Sequence, residues 1–193
     1  MEIEEYVEIL KNGGVIGVPT DTVYGICTSV DYKDARNKLA KIKGRSINQP
    51  FQIMCANIEQ IKKIAIVDEK AEKIINKFMP GPITLILSKG ENSSKYVNEH
   101  IAGIGIRMAP SKELKELIEK LGCPIFLTSA NLNGKKECEN TDEIRKVFPQ
   151  LDGIIEGKIN YGKASTIVDY TSDTIKILRE GPISLEEILK EIN

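Results

Sequence analysis

The feature that most constrains this chain is the stretch Gly13 to Val30, GGVIGVPTDTVYGICTSV, which joins a β-branched run, a proline stop and a hydroxyl-rich turn. Val15 to Val18 suits a buried strand. Pro19 has no amide hydrogen to continue a ladder, so it ends that strand and leaves Thr20, Asp21 and Thr22 at a sheet end. Tyr24 and Gly25 open the next segment, and Gly17 and Gly25 leave room for a ligand or a second backbone. Taken alone, such a turn is accounted for by threonines that only cap backbone groups. The segments around it decide whether it carries chemistry.

Those segments alternate between helical and strand periods from end to end. Ile3, Val7 and Leu10 fall at helical spacing, with Gly13 and Gly14 as the stop. Helices are also predicted over Asp34 to Lys43, Ile58 to Ala65, Glu69 to Phe78, Ser111 to Leu121, Asp142 to Val147 and Leu185 to Ile192. Asn57 with Gln60, Asp68 with Glu69, Ser111, and the pair Ser184 and Glu187 supply N-terminal capping signals. Strands are predicted over Phe51 to Ala56, Ile83 to Leu87, Gly103 to Met108, Pro124 to Leu127, Gly153 to Glu156, Thr166 to Asp169 and Thr174 to Leu178. Lys89 to Glu99 reads as a surface loop. With 193 residues and neither a repeat nor a break in composition, the pattern predicts one α/β domain over residues 1–193. Its core is a twisted mixed sheet with flanking helices, open on one side as a concave crevice.

Composition removes several functional classes. A net charge of −1 gives no global basic field for nucleic acid or an anionic membrane, so any RNA binding would have to come from a local patch. The four cysteines, Cys27, Cys55, Cys123 and Cys138, form no CxxC pair, which fits reduced thiols rather than zinc or a disulfide framework. MEIEEYVEIL lacks a basic, apolar leader and no apolar run reaches membrane-spanning length, so a soluble, cytoplasmic protein is expected. Gly157 to Ala164, GKINYGKA, imitates a phosphate loop, but Ala164 stands where a magnesium-holding hydroxyl belongs and STIVDY after it is strand-like. The single histidine, His100, sits in a polar loop and leaves histidine-based triads and metal sites little to work with. Asn92-Ser93-Ser94 matches a glycosylation acceptor that a cytosolic chain would not use.

Small hydroxyls, amides and cations at strand ends remain: Thr22, Lys43, Arg45, Arg107, Thr128, Ser129, Asn131, Ser165 and Arg179. Lys43 and Arg45 flank one glycine at a helix end, where cations also favour the helix dipole. Arg107 interrupts the apolar run Gly105-Ile106-Arg107-Met108, where an unpaired guanidinium is costly to bury, so it calls for an anion. Arg179 follows another predicted strand and raises the same question. Cations converging on one crevice without a histidine base suit a substrate with a triphosphate and a carboxylate, handled by positioning and charge stabilisation.

At this level of detail the chain resembles the YrdC-like threonylcarbamoyl-adenylate synthases. The resemblance rests on PTDTVYG at Pro19 to Gly25, KGR at Lys43 to Arg45, PGPITLIL at Pro80 to Leu87 and GIGIRMAP at Gly103 to Pro110. It continues with TSANLNG at Thr128 to Gly134, STIVD at Ser165 to Asp169 and LREGPI at Leu178 to Ile183, in order over nearly the whole chain. It implies a YrdC-like fold and a nucleotidyltransferase that condenses L-threonine, bicarbonate and ATP, with magnesium, into threonylcarbamoyl-AMP and pyrophosphate. The product would serve threonylcarbamoyladenosine formation in tRNA, with a tRNA-modifying threonylcarbamoyl transferase complex as downstream partner. The paired K-x-R and S-x-N signature falls on Lys43, Arg45, Ser129 and Asn131. Carried over by position, Thr22, Arg107, Thr128 and Ser165 would hold threonine. Lys43, Arg45, Ser129, Ala130, Asn131 and Arg179 would hold the nucleotide, with Lys43 and Arg45 as the catalytic pair and no protein-held metal.

The chain departs from the family pattern in three places. Met54 falls at about the position where many relatives carry a histidine near threonine, Ser46 replaces a common proline, and the chain looks like the short form, expected to lack the C-terminal domain of longer members. Two rivals are a non-catalytic double-stranded RNA or tRNA binding module and a carbamoyl-transfer domain of hydrogenase-maturation type. The acidic balance opposes the first, and the absence of a longer chain with zinc cysteines opposes the second.

Overall fold

The computed structural model describes residues 1–91, 93, 96–97, 101–172 and 174–192. In chain order its elements are α1 (Ile3–Lys11), β1 (Ile16–Val18), β2 (Gly25–Ser29), α2 (Ala35–Lys43), β3 (Gln52–Cys55), α3 (Ile58–Ile64) and α4 (Glu69–Phe78). They continue with β4 (Ile83–Ser88), β5 (Gly103–Met108), α5 (Lys112–Leu121), β6 (Ile125–Ser129), α6 (Thr141–Val147), β7 (Gly153–Ile154), β8 (Thr166–Tyr170), β9 (Lys176–Arg179) and α7 (Leu185–Ile192). Among the described residues nine strands join one sheet in the order β7-β1-β2-β6-β3-β5-β4-β8-β9. β1 with β7, β3 with β5 and β4 with β8 run parallel, and the remaining neighbours are antiparallel, so the sheet is mixed.

The helix ends follow local chemistry. Asn57 Oδ1 accepts from the Gln60 amide at 3.0 Å, Asp68 Oδ1 from Ala71 at 2.7 Å and Ser111 Oγ from Leu114 at 3.2 Å. At α7 the reciprocal box forms, with the Ser184 amide on Glu187 Oε2 at 2.8 Å and the Glu187 amide on Ser184 Oγ at 3.2 Å. α1 stops as expected, with Gly13 at φ +76° and the Gly14 amide returning to the Ile9 carbonyl at 2.8 Å.

Strand alternation separates a core face from a cleft face. On β4, Ile83, Leu85 and Leu87 enter the core while Thr84 and Ile86 face the cleft. On β5, Ile104 and Ile106 are core and Gly103, Gly105 and Arg107 line the cleft. On β8, Val168 is core and Ile167 and Asp169 line the cleft.

Several boundaries differ from expectation. β6 continues to Ser129, and β9 begins at Lys176 and takes Arg179 into the strand. The loop expected at the surface is not wholly so: Ser93, Tyr96 and Val97 are buried, the latter two filling the core with apolar surface that the polar sequence around them conceals. The readings of Asn92, Ser94 and His100 lie outside the described residues. All four cysteines are buried and free of disulfides. Among the described residues no helix is long and apolar enough to cross a membrane.

Candidate active site

The cleft face of the sheet, the turn after β1 and the C-terminal end of α2 enclose a hollow of about 470 Å³, within the range of small-molecule sites. The turn forms because Thr20 Oγ1 organises it, donating to the Val23 carbonyl at 2.6 Å and accepting the Thr22 and Val23 amides, each at 3.2 Å. Thr22 Oγ1 lies 3.0 Å from Thr20 Oγ1 and accepts from Arg107 Nη1 at 3.1 Å. Tyr24 braces the far side, its hydroxyl donating to the Gly157 carbonyl at 2.7 Å.

The anion that Arg107 calls for comes from the protein. Its Nη2 pairs with Asp21 Oδ1 at 2.7 Å, with Arg107 2% and Asp21 8% exposed, and also donates to the Gly81 carbonyl at 3.0 Å. Arg107 Nε and Asp21 Oδ2 are buried without a partner. The pair locks the turn after β1 to β5 and leaves Arg107 a buried, unspent donor.

α2 ends in a left-handed glycine, Gly44 at φ +66°, with the Arg45 amide returning to the Ala40 carbonyl at 3.1 Å. That reversal sends Lys43 and Arg45 to different tasks. Lys43 Nζ donates to the Ser129 carbonyl at 2.5 Å, to Ser129 Oγ at 3.2 Å and to Asn131 Oδ1. Its three donors are therefore spent on Ser129 at the end of β6 and Asn131 in the loop beyond it. Ser129 Oγ in turn donates to Asn131 Oδ1 at 2.6 Å, and Asn131 Nδ2 donates to the Lys135 carbonyl at 2.5 Å. Arg45 lies over the Phe51 ring at 3.9 Å and donates through Nη2 to the Pro50 carbonyl at 2.6 Å, while its buried Nε has no partner.

On the opposite wall, Arg179 donates through Nε to the Ser165 carbonyl at 3.0 Å and through Nη2 to Ser165 Oγ at 3.1 Å. Ser165 Oγ also lies 2.9 Å from Thr84 Oγ1.

Burial raises the cost of each charge, and a neighbouring cation adds to it at Lys43 and Arg179. Burial, and then the Arg45 guanidinium, lower Lys43 to about 8. Burial lowers Arg107, with Asp21 opposing the shift, and burial followed by the Arg107 field lowers Arg179. Such a site is primed for a polyanion.

Thr22, Lys43, Arg45, Arg107, Thr128, Ser129, Asn131, Ser165 and Arg179 all line this one hollow. Ala130 does not. Its methyl is fully buried, its amide donates to the Tyr24 carbonyl at 2.7 Å and its carbonyl accepts from Cys138 at 2.8 Å. Ala130 stands just past the end of β6, held there by these two backbone bonds. Met54 is fully buried beside Arg107 in the β3–β5 register, and its thioether is only a weak hydrogen-bond acceptor. Sequence reasoning missed Asp21 as the partner of Arg107, and Gln52, Thr84, Asn133 and Asp169 as cleft residues. Alternation about Ile83, Leu85 and Leu87 could have exposed Thr84, whereas the others depend on pairings between distant segments.

The protein is thus a mixed α/β sheet with a cation-lined hollow. The chain belongs to the Sua5/YciO/YrdC family, whose profile, described as "Telomere recombination", matches residues 8–181. A Methanocaldococcus jannaschii protein, provisionally named a threonylcarbamoyl-AMP synthase, is 36% identical over 98% of this chain and 92% of its own length. The crystal structure of Pyrococcus abyssi Sua5 complexed with L-threonine superposes with a TM-score of 0.91 at 30% identity, over 98% of this chain and 57% of that one. Escherichia coli YciO superposes at 0.87 with 29% identity, over 96% and 92%. The chain thus spans little more than half of the Pyrococcus protein and nearly all of the other two.

Proposed function

We propose that this protein is a threonylcarbamoyl-AMP synthase, a nucleotidyltransferase that joins L-threonine, bicarbonate and ATP. The observation that carries the reading is the meeting of Arg107 and Thr22 with the Lys43, Arg45, Ser129 and Asn131 group in one hollow. The threonine-bound Pyrococcus relative supports it. The threonine carboxylate would lie beside Arg107, which lines the hollow with Thr22, Thr128 and Ser165. Threonine's amine adds to bicarbonate with loss of water to give a carbamate. A carbamate oxygen then forms a bond to the α-phosphorus as the bond to pyrophosphate breaks, and pyrophosphate leaves with that electron pair. Arg45 and Arg179 would face the phosphates, and the Lys43 ammonium would fix Ser129 and Asn131 while adding its field. Ala130 contributes packing beneath them rather than a contact.

Magnesium enters as part of the nucleotide substrate. Among the described residues the cleft offers one carboxylate, Asp169, whose Oδ1 already accepts from the Thr171 amide and hydroxyl, and there is no group of three potential metal ligands. A cytoplasmic setting and delivery of the product to a tRNA-modifying transferase complex, with tRNA contact weak at most, complete the proposal. Incubation with labelled threonine, bicarbonate, magnesium and ATP should yield an adenylated threonine adduct and pyrophosphate. Pyrophosphate release that ignores threonine would refute it.

A further inference from the structure

Gln52 is the first residue of β3, lines the cleft, and its carboxamide makes no hydrogen bond to any described residue. Other polar side chains of the cleft are engaged: Thr84 with Ser165, Asp169 with Thr171, Ser129 with Lys43 and Asn131. The floor beside it is bare. Gly105, on the adjacent strand, has no side chain, and a Cβ added there would sit 4.0 Å from Gln52 Cγ and 3.5 Å from Thr84. Gly105 therefore leaves a trough that any larger residue would fill.

The sheet register fixes where Gln52 stands between the two anchoring groups. Met54 is opposite Arg107 on β5, and Gln52 is opposite Leu127 on β6. Along the cleft face, Arg107 is therefore one strand over and two residues in one direction from Gln52. Ser129 is one strand over on the other side and two residues in the opposite direction. With strands about 4.8 Å apart and about 6.7 Å per residue pair, each Cα is about 8 Å from that of Gln52, and the three lie on one diagonal. Gln52 is at its midpoint.

We propose that the Gln52 carboxamide grips the carbamate formed from bicarbonate, holding it over Gly105 between the carboxylate anchor at Arg107 and the phosphate anchor at Ser129. This rests on the function proposed above and adds to it the residue that meets the reacting group. A carbamate presents an N–H donor and anionic oxygens, and a carboxamide presents the complementary carbonyl acceptor and two N–H donors in one plane. Gln52 exchanges no proton. It aims the carbamate oxygen at the α-phosphorus, and its N–H groups meet the charge that this oxygen carries.

The test is a bicarbonate titration in carbonate-depleted buffer at saturating threonine and magnesium ATP, following pyrophosphate release by wild type, Gln52→Leu and Gln52→Glu. Loss of one hydrogen bond to a charged group should raise the bicarbonate KM about tenfold or more in Gln52→Leu, with the ATP KM within about twofold. Gln52→Glu sets a carboxylate against the carbamate and should lower kcat/KM for bicarbonate further. An unchanged bicarbonate dependence in both variants overturns the assignment and leaves the synthase reading intact. An equal loss for all three substrates with a lowered unfolding midpoint also overturns it, since that marks a structural role. A wild-type protein that releases no pyrophosphate with threonine and bicarbonate overturns both readings together.

Discussion

Replacing Arg107 by Met tests whether the buried pair with Asp21 holds the turn after β1 in place. The substitution removes the bonds to Asp21 at 2.7 Å, to the Gly81 carbonyl at 3.0 Å and to Thr22 at 3.1 Å. Asp21 is left 8% exposed with neither oxygen partnered. Breaking one side of a buried ion pair costs about 3–5 kcal/mol, because the surviving charge stays desolvated. At about 4 kcal/mol and a urea slope near 2 kcal/mol/M, the unfolding midpoint should fall by about 2 M. Removing the stranded charge as well, in Asp21→Asn with Arg107→Met, should recover roughly half of that loss or more. Paired urea melts of the wild type, both single variants and the double variant measure the coupling directly. A single-variant loss below about 1 kcal/mol, or no recovery in the double variant, would refute the claim that the pair is structural. The double variant then allows a clean second reading: if Arg107 also meets the substrate carboxylate, threonine KM stays high after stability has returned.

Three further outcomes are expected. Arg45→Ala or Lys43→Ala should lower threonine-dependent pyrophosphate release by on the order of 10², and near wild-type rates would remove them from the mechanism. Because Lys43 is lowered to about 8 from 10.5, its charge is lost as pH rises through about 8. A pH profile of kcat/KM for ATP should fall there, and Lys43→Arg, if active, should remove that limb. The same lowered value means folding gains stability as pH rises from about 8 towards 10.5, the opposite sign from the activity change. Gly44→Ala meets no atom within 4 Å but must hold φ at +66°, so thermal melts should show a loss of about 1 kcal/mol from backbone strain alone.

What was legible in the sequence was local. Caps at Asn57, Asp68, Ser111 and Ser184 work within one turn of helix, and the stops at Gly13 and Gly44 use one backbone conformation each. Arg107 was legible as a charge needing a partner because its strand is apolar, but not Asp21 as that partner, since the contact spans 86 residues. Lys43 was legible as a cation at a helix end, yet its three bonds to Ser129 and Asn131 appear only when β6 is laid beside β2 and β3. Gln52 read simply as part of a strand, because which of its faces sees the cleft depends on register rather than composition. Ala130 followed its neighbours in the motif but not in space.

The strand order carries a consequence for how the protein comes into being. β6, made late in synthesis, is the filling between β2 and β3, both of which emerge much earlier. A ribosome-bound chain that has exposed everything through β5 already owns the Asp21 and Arg107 partners, yet its half-built sheet has a missing slat with two raw edges. Closure must wait for a segment about 100 residues downstream of the first strands, so assembly is governed by long-range pairing and should be slow. No proteolytic piece ending before Ile125 can retain the hollow, and hydrogen-exchange protection of β2 and β3 should rise together when β6 docks.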